Sequence, residues 1–103
     1  MKTYYHKHDI PADLNHDGDI AIDTETMGLK HGRDPLCVVQ FSFGNGEAHV
    51  VQLDRETYNC PNLIELFATN KGTKIFHFAR FDVAVLKANL GLDFEDIYCT
   101  RSA

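Results

Sequence analysis

The sequence predicts a mixed α/β fold, in which an antiparallel meander of three strands is followed by two helix–strand crossovers. Short apolar runs rich in β-branched residues indicate the strands, and apolar residues at helical spacing indicate the helices. Asn45-Gly46 lies between two such runs and is a strong hairpin signal. The predicted order is βββαβαβ over residues 20–103, after an N-terminal strand or arm with a loop at residues 1–19.

Each element follows from a local pattern. The predicted strands cover residues 20–22, 37–43, 48–53, 74–79 and 96–99. A helix over residues 61–68 begins near Pro61, a residue common in the first helical turn, and places Leu63, Ile64 and Phe67 on one face. A second helix over residues 81–90 buries the stripe formed by Phe81, Val85 and Leu86. The crossovers are expected to be right-handed.

Composition limits the class of protein. The 103 residues allow one domain or part of one, and 44% hydrophobic residues indicate a globular chain. No apolar run approaches the ~20 residues of a membrane span, so no membrane partner is predicted. Three cysteines without CxxC spacing argue against a disulfide framework and a zinc site. Cys37 and Cys99 are predicted to be buried thiols, and the predicted location is the cytoplasm.

Two carboxylates follow the first predicted strand. Asp23 and Glu25 are two residues apart, and such residues point to the same face of a strand. Two anions held close together repel each other, and each raises the pKa of the other unless a cation joins them. Hard divalent cations such as Mg²⁺ take all-oxygen sites of this kind. The pair therefore predicts a metal site, with a solvated acidic loop as the alternative.

A second segment adds a third carboxylate. His77 lies within the apolar run at residues 74–79, and Asp82 follows five residues later in the first turn of a predicted helix. A carboxylate there is favoured by the helix macrodipole, so a purely structural role for Asp82 is an alternative. Its spacing from His77, across a strand-to-helix turn, suggests a functional role.

Together the two segments resemble the motifs of the DEDD superfamily of 3′–5′ exonucleases, in particular the ribonuclease D-like branch. Residues 23–29 resemble the first motif, Asp-x-Glu followed by a short Gly/Leu turn. Residues 77–82 resemble the second, which ends in an aromatic residue and an aspartate. The resemblance runs from about residue 18 to the C-terminus and implies a ribonuclease H-like fold. Phe78 departs from the pattern, because many relatives have Asn after the histidine.

The resemblance also implies a chemistry. Asp23, Glu25 and Asp82 match three of the four metal-binding acids, so they are expected to be both catalytic residues and ligands of two divalent ions, Mg²⁺ or Mn²⁺. Asp23 would bridge the ions, Glu25 would also bind the terminal 3′ hydroxyl, and Asp82 would bind the second ion. The implied partner is the 3′ end of single-stranded RNA or DNA; the sequence does not decide between the two.

The expected substrate-binding residues are Thr26, Met27, Gly28, Leu29, His77 and Arg80. Leu29 would wedge against the last base, or else be an ordinary core leucine. His77 would orient the site, or else be a core histidine. Phosphate contacts are expected among Arg80, Lys30, His31 and Arg33, with solvated loop charge as the alternative. A net charge of −5 is unusual for a nucleic-acid enzyme, and bound metal would offset part of it.

The third motif of the family has no counterpart here. It carries the fourth acid and a Tyr or His that positions water, as Tyr-x-x-x-Asp or His-x-x-x-x-Asp. No such pattern follows Asp82. The chain is therefore expected to be the N-terminal part of the domain, truncated before the C-terminal helices. Alone it would have little activity, and it would self-associate or capture a complementary C-terminal fragment.

Two alternatives belong to other functional classes. Residues 13–20 resemble the start of an EF-hand or dockerin calcium loop, with oxygen-bearing side chains at its positions 1, 3 and 5 and Gly18 at position 6. The match fails at position 12, which is Thr24, and a strand is predicted where a helix should follow. The other alternative is a catalytically incomplete fragment of the same fold that binds nucleic acid or takes part in assembly.

Overall fold

The first half of the chain forms most of a mixed β-sheet, and the second half adds two helices and two short strands. The structure is a computed structural model that describes residues 2–26, 36–77, 79–94 and 97–99. The elements are β1 (Lys2–Lys7), β2 (Ile20–Thr26), β3 (Leu36–Ser42), β4 (Glu47–Gln52), α1 (Pro61–Thr69), β5 (Lys74–Phe76), α2 (Ala79–Leu90) and β6 (Ile97–Cys99). The predicted meander and crossovers are confirmed.

The sheet has the strand order β1-β4-β3-β2-β5-β6 within the described residues. β2, β3 and β4 pair antiparallel, as the meander predicts. β2 also pairs parallel with β5, and β5 with β6, as crossovers require. β2, which carries Asp23, lies inside the sheet beside β5. α2, which carries Asp82, begins just after β5, so the two elements are neighbours.

β1 shows that the N-terminal segment takes the first of its two predicted forms, a strand and not an arm. Residues 2–7 form an edge strand parallel to β4, so the described order is ββββαβαβ. The segment is polar, and its pairing depends on contacts far away in sequence. The His49 ring of β4 stacks on the rings of Tyr4 and His6, with centroids 5.2 and 5.3 Å apart respectively. His6 is consequently half-buried, whereas His8 is exposed.

The hairpin between β3 and β4 has a longer connection than the Asn-Gly signal implies. Residues 43–46 connect the strands, and Gly44 and Gly46 have φ angles of 80° and 83°. A positive φ is accessible to glycine at little cost, which explains both glycines in this turn.

The core lies on one face of the sheet, which we call the covered face. Both helices contribute to it, and its members include Ile22, Val39, Phe41, Val51, Leu63, Phe67, Val85 and Leu86. The opposite face, the open face, includes Ala21, Asp23, Glu25, Val38, Gln40, Val50 and Ile75, whose side chains are exposed or half-buried. Asp23 and Glu25 therefore lie on the face without helices among the described residues.

Some predicted boundaries and burials were wrong. β5 ends at Phe76 and not at the predicted residue 79, because α2 begins at Ala79 instead of residue 81. Cys60, just before α1, is buried, whereas Cys37 and Cys99 are only half-buried. Cys37 lies next to β3's first residue, Leu36, whose side chain takes the core position.

Candidate active site

Asp23 and Glu25 lie in the second half of β2. Both side chains are exposed, while Thr24 between them is only 7% exposed, so the predicted alternation is present. The Asp23 Oδ1 accepts a hydrogen bond from the Thr24 backbone N–H at 3.0 Å. The pairing with β3 shifts register between Glu25 and Thr26, which is typical of a β-bulge. The two carboxylates are thus presented on the open face just before an irregularity in the strand.

Asp82 is the buried acid of the site. It lies in the first turn of α2 and is 2% exposed. Its Oδ1 accepts a hydrogen bond of 2.5 Å from the Thr24 hydroxyl, across 58 residues of sequence. Its Oδ2 is buried and has no hydrogen-bond partner among the described residues. A buried carboxylate oxygen without a partner costs free energy, and a bound cation is one way to satisfy it.

The electrostatic environment of Asp82 disfavours its charged form. Burial, with a contribution from the negative charge of Asp23, raises the pKa of Asp82 to about 6. Hydrogen bonds from Thr24 and the charge of His77 act in the opposite direction but are outweighed. Asp23 therefore lies near enough to repel Asp82, and a divalent cation between carboxylates would relieve that repulsion.

His77 directly follows β5 and is exposed, so the alternative of a core histidine is wrong. It borders a cavity of about 270 Å³ together with Asp23. The other lining residues are Ala21, Ile22, Gln40, Phe41, Ser42, Ile75 and Phe76. The cavity therefore joins one carboxylate of the first motif to the histidine of the second.

The three acids are only partly brought together. Thr24 and Asp82 meet on the covered side of β2, whereas Asp23 and Glu25 lie on its open side. Among the described residues, no three His, Cys, Asp or Glu side chains gather closely enough to hold a metal ion. The donor set itself fits a hard cation, because it consists of carboxylate oxygens and includes the unpartnered Oδ2 of Asp82.

Most of the expected substrate contacts lie outside the described residues. These are Met27, Gly28, Leu29, Lys30, His31 and Arg33, and the same holds for the side chains of Thr26 and Arg80. Their roles stay predictions.

Thr24 is the residue that the sequence reasoning missed. The alternation that places Asp23 and Glu25 on the open face also directs Thr24 inward, toward the core. A buried hydroxyl needs a hydrogen-bond partner, and here the partner is Asp82. The sequence therefore indicated that Thr24 needs a hydrogen-bond partner. It did not indicate which residue the partner is, because Asp82 is distant in sequence.

The calcium-loop alternative is wrong. Residues 13–19 form a connection that leads into β2, and neither side of it is a helix. Several of its oxygens hold the fold together: the Asp19 Oδ1 accepts a hydrogen bond from the Thr73 N–H, and the His16 and Gly18 carbonyls accept from the Asn70 side chain. Asp13 and Asp17 are exposed, and no metal-holding group occurs among the described residues.

A family model described as 3′–5′ exonuclease matches residues 3–103. The chain belongs to the 3′–5′ exonuclease family. The family model confirms the predicted exonuclease family, and the solved structures that share the fold confirm the ribonuclease H-like architecture. No curated protein sequence matches the chain significantly.

Solved exonuclease structures share the fold. Brucella melitensis NrnC with bound Mg²⁺ is 44% identical, with a TM-score of 0.86, and the match covers 97% of this chain and 50% of NrnC. The catalytic core of Trypanosoma brucei RRP6 is 24% identical at a TM-score of 0.64, over 82% of this chain and 23% of that one. Escherichia coli RNase D is 19% identical, with a TM-score of 0.61, over 80% of this chain and 21% of the RNase D chain. The chain spans about half the length of the NrnC chain.

No helix in the described part of the chain is long and apolar enough to cross a bilayer.

Proposed function

We propose that this chain carries three catalytic acids of a metal-dependent exonuclease that removes nucleotides from the 3′ end of single-stranded RNA or DNA. The observation that carries the proposal is the environment of Asp82, a buried carboxyl with one unpartnered oxygen, repelled by the Asp23 of an Asp-x-Glu pair. Family membership supplies the reaction class. NrnC was solved with Mg²⁺ and with pGG, which supports a divalent ion and an oligonucleotide substrate.

The proposed roles combine the placement of the acids with what the family resemblance implies. Asp23 and Glu25 present carboxylates on the open face, where a nucleotide end has access, and Glu25 also accepts a hydrogen bond from the terminal 3′ hydroxyl. Asp82 adds an oxygen from the covered side. A pair of Mg²⁺ or Mn²⁺ ions supplies positive charge at the scissile phosphate, where the transition state concentrates negative charge.

The remaining contacts are proposed on the resemblance. Thr26, Met27, Gly28 and Leu29 line the terminal nucleotide, and Arg80 contacts a phosphate. His77 borders the cavity beside Asp23, from which it orients the site. The cytoplasmic location stays a prediction.

The experiment that tests the proposal replaces Asp23 by Asn in the full-length protein. We expect Asp23→Asn to abolish Mg²⁺- or Mn²⁺-dependent shortening of a labelled oligonucleotide. The melting temperature without metal should stay equal or rise slightly, because the change removes like-charge repulsion. The matched control is Asp17→Asn, an exposed aspartate in the connection before β2, which should keep full activity.

A catalytically incomplete fragment is the second candidate. It is favoured by the absence of a three-ligand cluster among the described residues. Full activity of Asp23→Asn would contradict the proposed metal site under both candidate functions. An inactive wild-type protein that still binds the oligonucleotide would favour this second candidate.

A further inference from the structure

The position of the Thr24 hydroxyl is tightly constrained, although Thr24 is not one of the predicted site residues. It sits between Asp23 and Glu25 in β2, in the interior of the sheet, with its side chain 7% exposed. Threonine is branched at Cβ, so its χ1 rotamers are restricted. The position of the hydroxyl is therefore set by the same strand that sets the positions of the two exposed carboxylates.

This hydroxyl makes the two oxygens of Asp82 unequal. Oδ1 accepts the 2.5 Å hydrogen bond from the Thr24 Oγ1, whereas Oδ2 is buried with no hydrogen-bond partner among the described residues. A carboxylate held at one oxygen cannot rotate freely. The bond therefore determines which oxygen of Asp82 is available to a further ligand.

We propose that Thr24 is a positioning residue, whose hydroxyl fixes the Asp82 carboxylate so that Oδ2 is presented to a divalent cation shared with the Asp23–Glu25 strand. This inference rests on the proposed metal-dependent function. Hydrogen-bond partners of metal ligands commonly contribute 10- to 100-fold to metal affinity. Thr24, within the first motif, makes this contribution to metal affinity through its hydrogen bond to Asp82.

A purely structural role makes a different prediction. If the hydrogen bond only joined α2 to β2, its loss would reduce stability, and metal affinity would change only as far as folding did. Val39, the cross-strand neighbour of Thr24, provides the matched control. It is fully buried on the same face, and Val39→Ala disturbs packing without removing a hydrogen bond to Asp82.

The test measures Mn²⁺ affinity by electron paramagnetic resonance of free Mn²⁺, together with the melting temperature without metal, on the full-length protein. We expect Thr24→Val, which removes the donor, to weaken Mn²⁺ binding about 10- to 100-fold. Thr24→Ser keeps the hydroxyl and should bind within about threefold of wild type, a rescue that packing would not produce. Val39→Ala should lower the melting temperature and leave Mn²⁺ affinity unchanged.

Several results would overturn the assignment. One is a folded Thr24→Val protein that binds Mn²⁺ as the wild type does, and another is a Thr24→Ser protein as weak as Thr24→Val. Should Thr24→Val fail to fold, the ¹³C carboxyl resonance of Asp82 in the wild type decides: it must shift when Mg²⁺ is added, and a constant resonance refutes the proposal. If Asp23→Asn loses Mn²⁺ binding and Thr24→Val does not, the proposed function stands and only this inference fails. A wild-type protein without Mn²⁺ binding rejects both.

Discussion

The Asp82 side chain carries a cost that its surroundings only partly offset. Burial disfavours the carboxylate, and the hydrogen bond from the Thr24 hydroxyl satisfies one of its two oxygens. Proteins retain such groups where a ligand or a reaction uses them, and perturbed acids cluster at functional sites. The energetics of Asp82 therefore support, as its motif does, the proposed metal site.

The stability of the metal-free protein should depend on the protonation of Asp82. Its pKa of about 6 in the folded state lies above the ordinary 3.8, so the folded state binds the proton more tightly. The resulting stabilisation is complete below pH ~4 and is lost as the pH rises through 6. A shift of roughly two units corresponds to about 3 kcal/mol. Asp82→Asn should remove this loss, so that the variant exceeds the wild type in stability at pH 8 but not at pH 4.

Urea unfolding in EDTA between pH 4 and pH 8 measures this effect. Asp17→Asn, at an exposed position, should follow the wild-type profile. A wild-type stability that does not fall between pH 4 and pH 7 relative to Asp82→Asn would contradict the assigned environment.

Glu25 leads to a prediction about the polarity of digestion. If its carboxylate accepts a hydrogen bond from the terminal 3′ hydroxyl, a 3′-phosphate places negative charge against it and should block the enzyme. A 5′-labelled single strand should shorten stepwise, as seen on a denaturing gel, and its 3′-phosphorylated counterpart should stay intact. Early release of the labelled 5′ mononucleotide would exclude 3′–5′ digestion.

At the scale of elements, helix α1 is capped by a residue far from it in sequence. Its own N-cap position, Cys60, has no side-chain capping bond. The Asp9 carboxylate instead accepts hydrogen bonds from the backbone N–H groups of Asn62 and Leu63, at 3.1 and 2.9 Å. The segment after β1 is thereby attached to the helix that covers the sheet.

Removing this cap should destabilise the fold without altering the site. Loss of an N-cap carboxylate typically costs about 0.5–2 kcal/mol. We expect Asp9→Ala to lower the free energy of unfolding by that amount, measured by urea denaturation. Asp13→Ala, at an exposed position in the same connection, should change it by less than about 0.5 kcal/mol. Equal effects of the two substitutions would mean that the cap contributes nothing measurable.

At the scale of the whole molecule, the two faces of the sheet differ. The described helices both pack on the covered face, while the open face leaves Val38, Val50 and Ile75 half-buried beside the exposed acids. Tyr5 and Tyr98 are 80% and 60% exposed. Apolar area of a few hundred Å² corresponds to several kcal/mol at roughly 25 cal/mol per Å². That is comparable with the stability of a small domain.

We therefore expect the 103-residue chain on its own to self-associate and to show little exonuclease activity. Light scattering coupled to size-exclusion chromatography should detect the association, and a Mn²⁺-dependent nuclease assay the activity. Tyr5→Ser should weaken the association, whereas Thr3→Ser, an exposed position on the same strand and face, should not. A stable, monomeric and active chain would contradict this prediction. Recovery of activity with a separate C-terminal half would support it.

The sequence by itself determined the element types and their order from β2 onward, and it identified the two motifs. These depend on local signals: β-branched runs, an Asn-Gly turn and helical spacing of apolar residues. Tertiary structure alone decided that β1 pairs parallel with β4, that Asp82 is buried against Thr24, and that Asp23 and Glu25 lie on the opposite side of β2. Each of these outcomes depends on residues more than 40 positions apart, such as Thr24 and Asp82 or Tyr4 and His49. Local periodicity shows which face a side chain takes, but the partner on that face depends on how the whole chain packs.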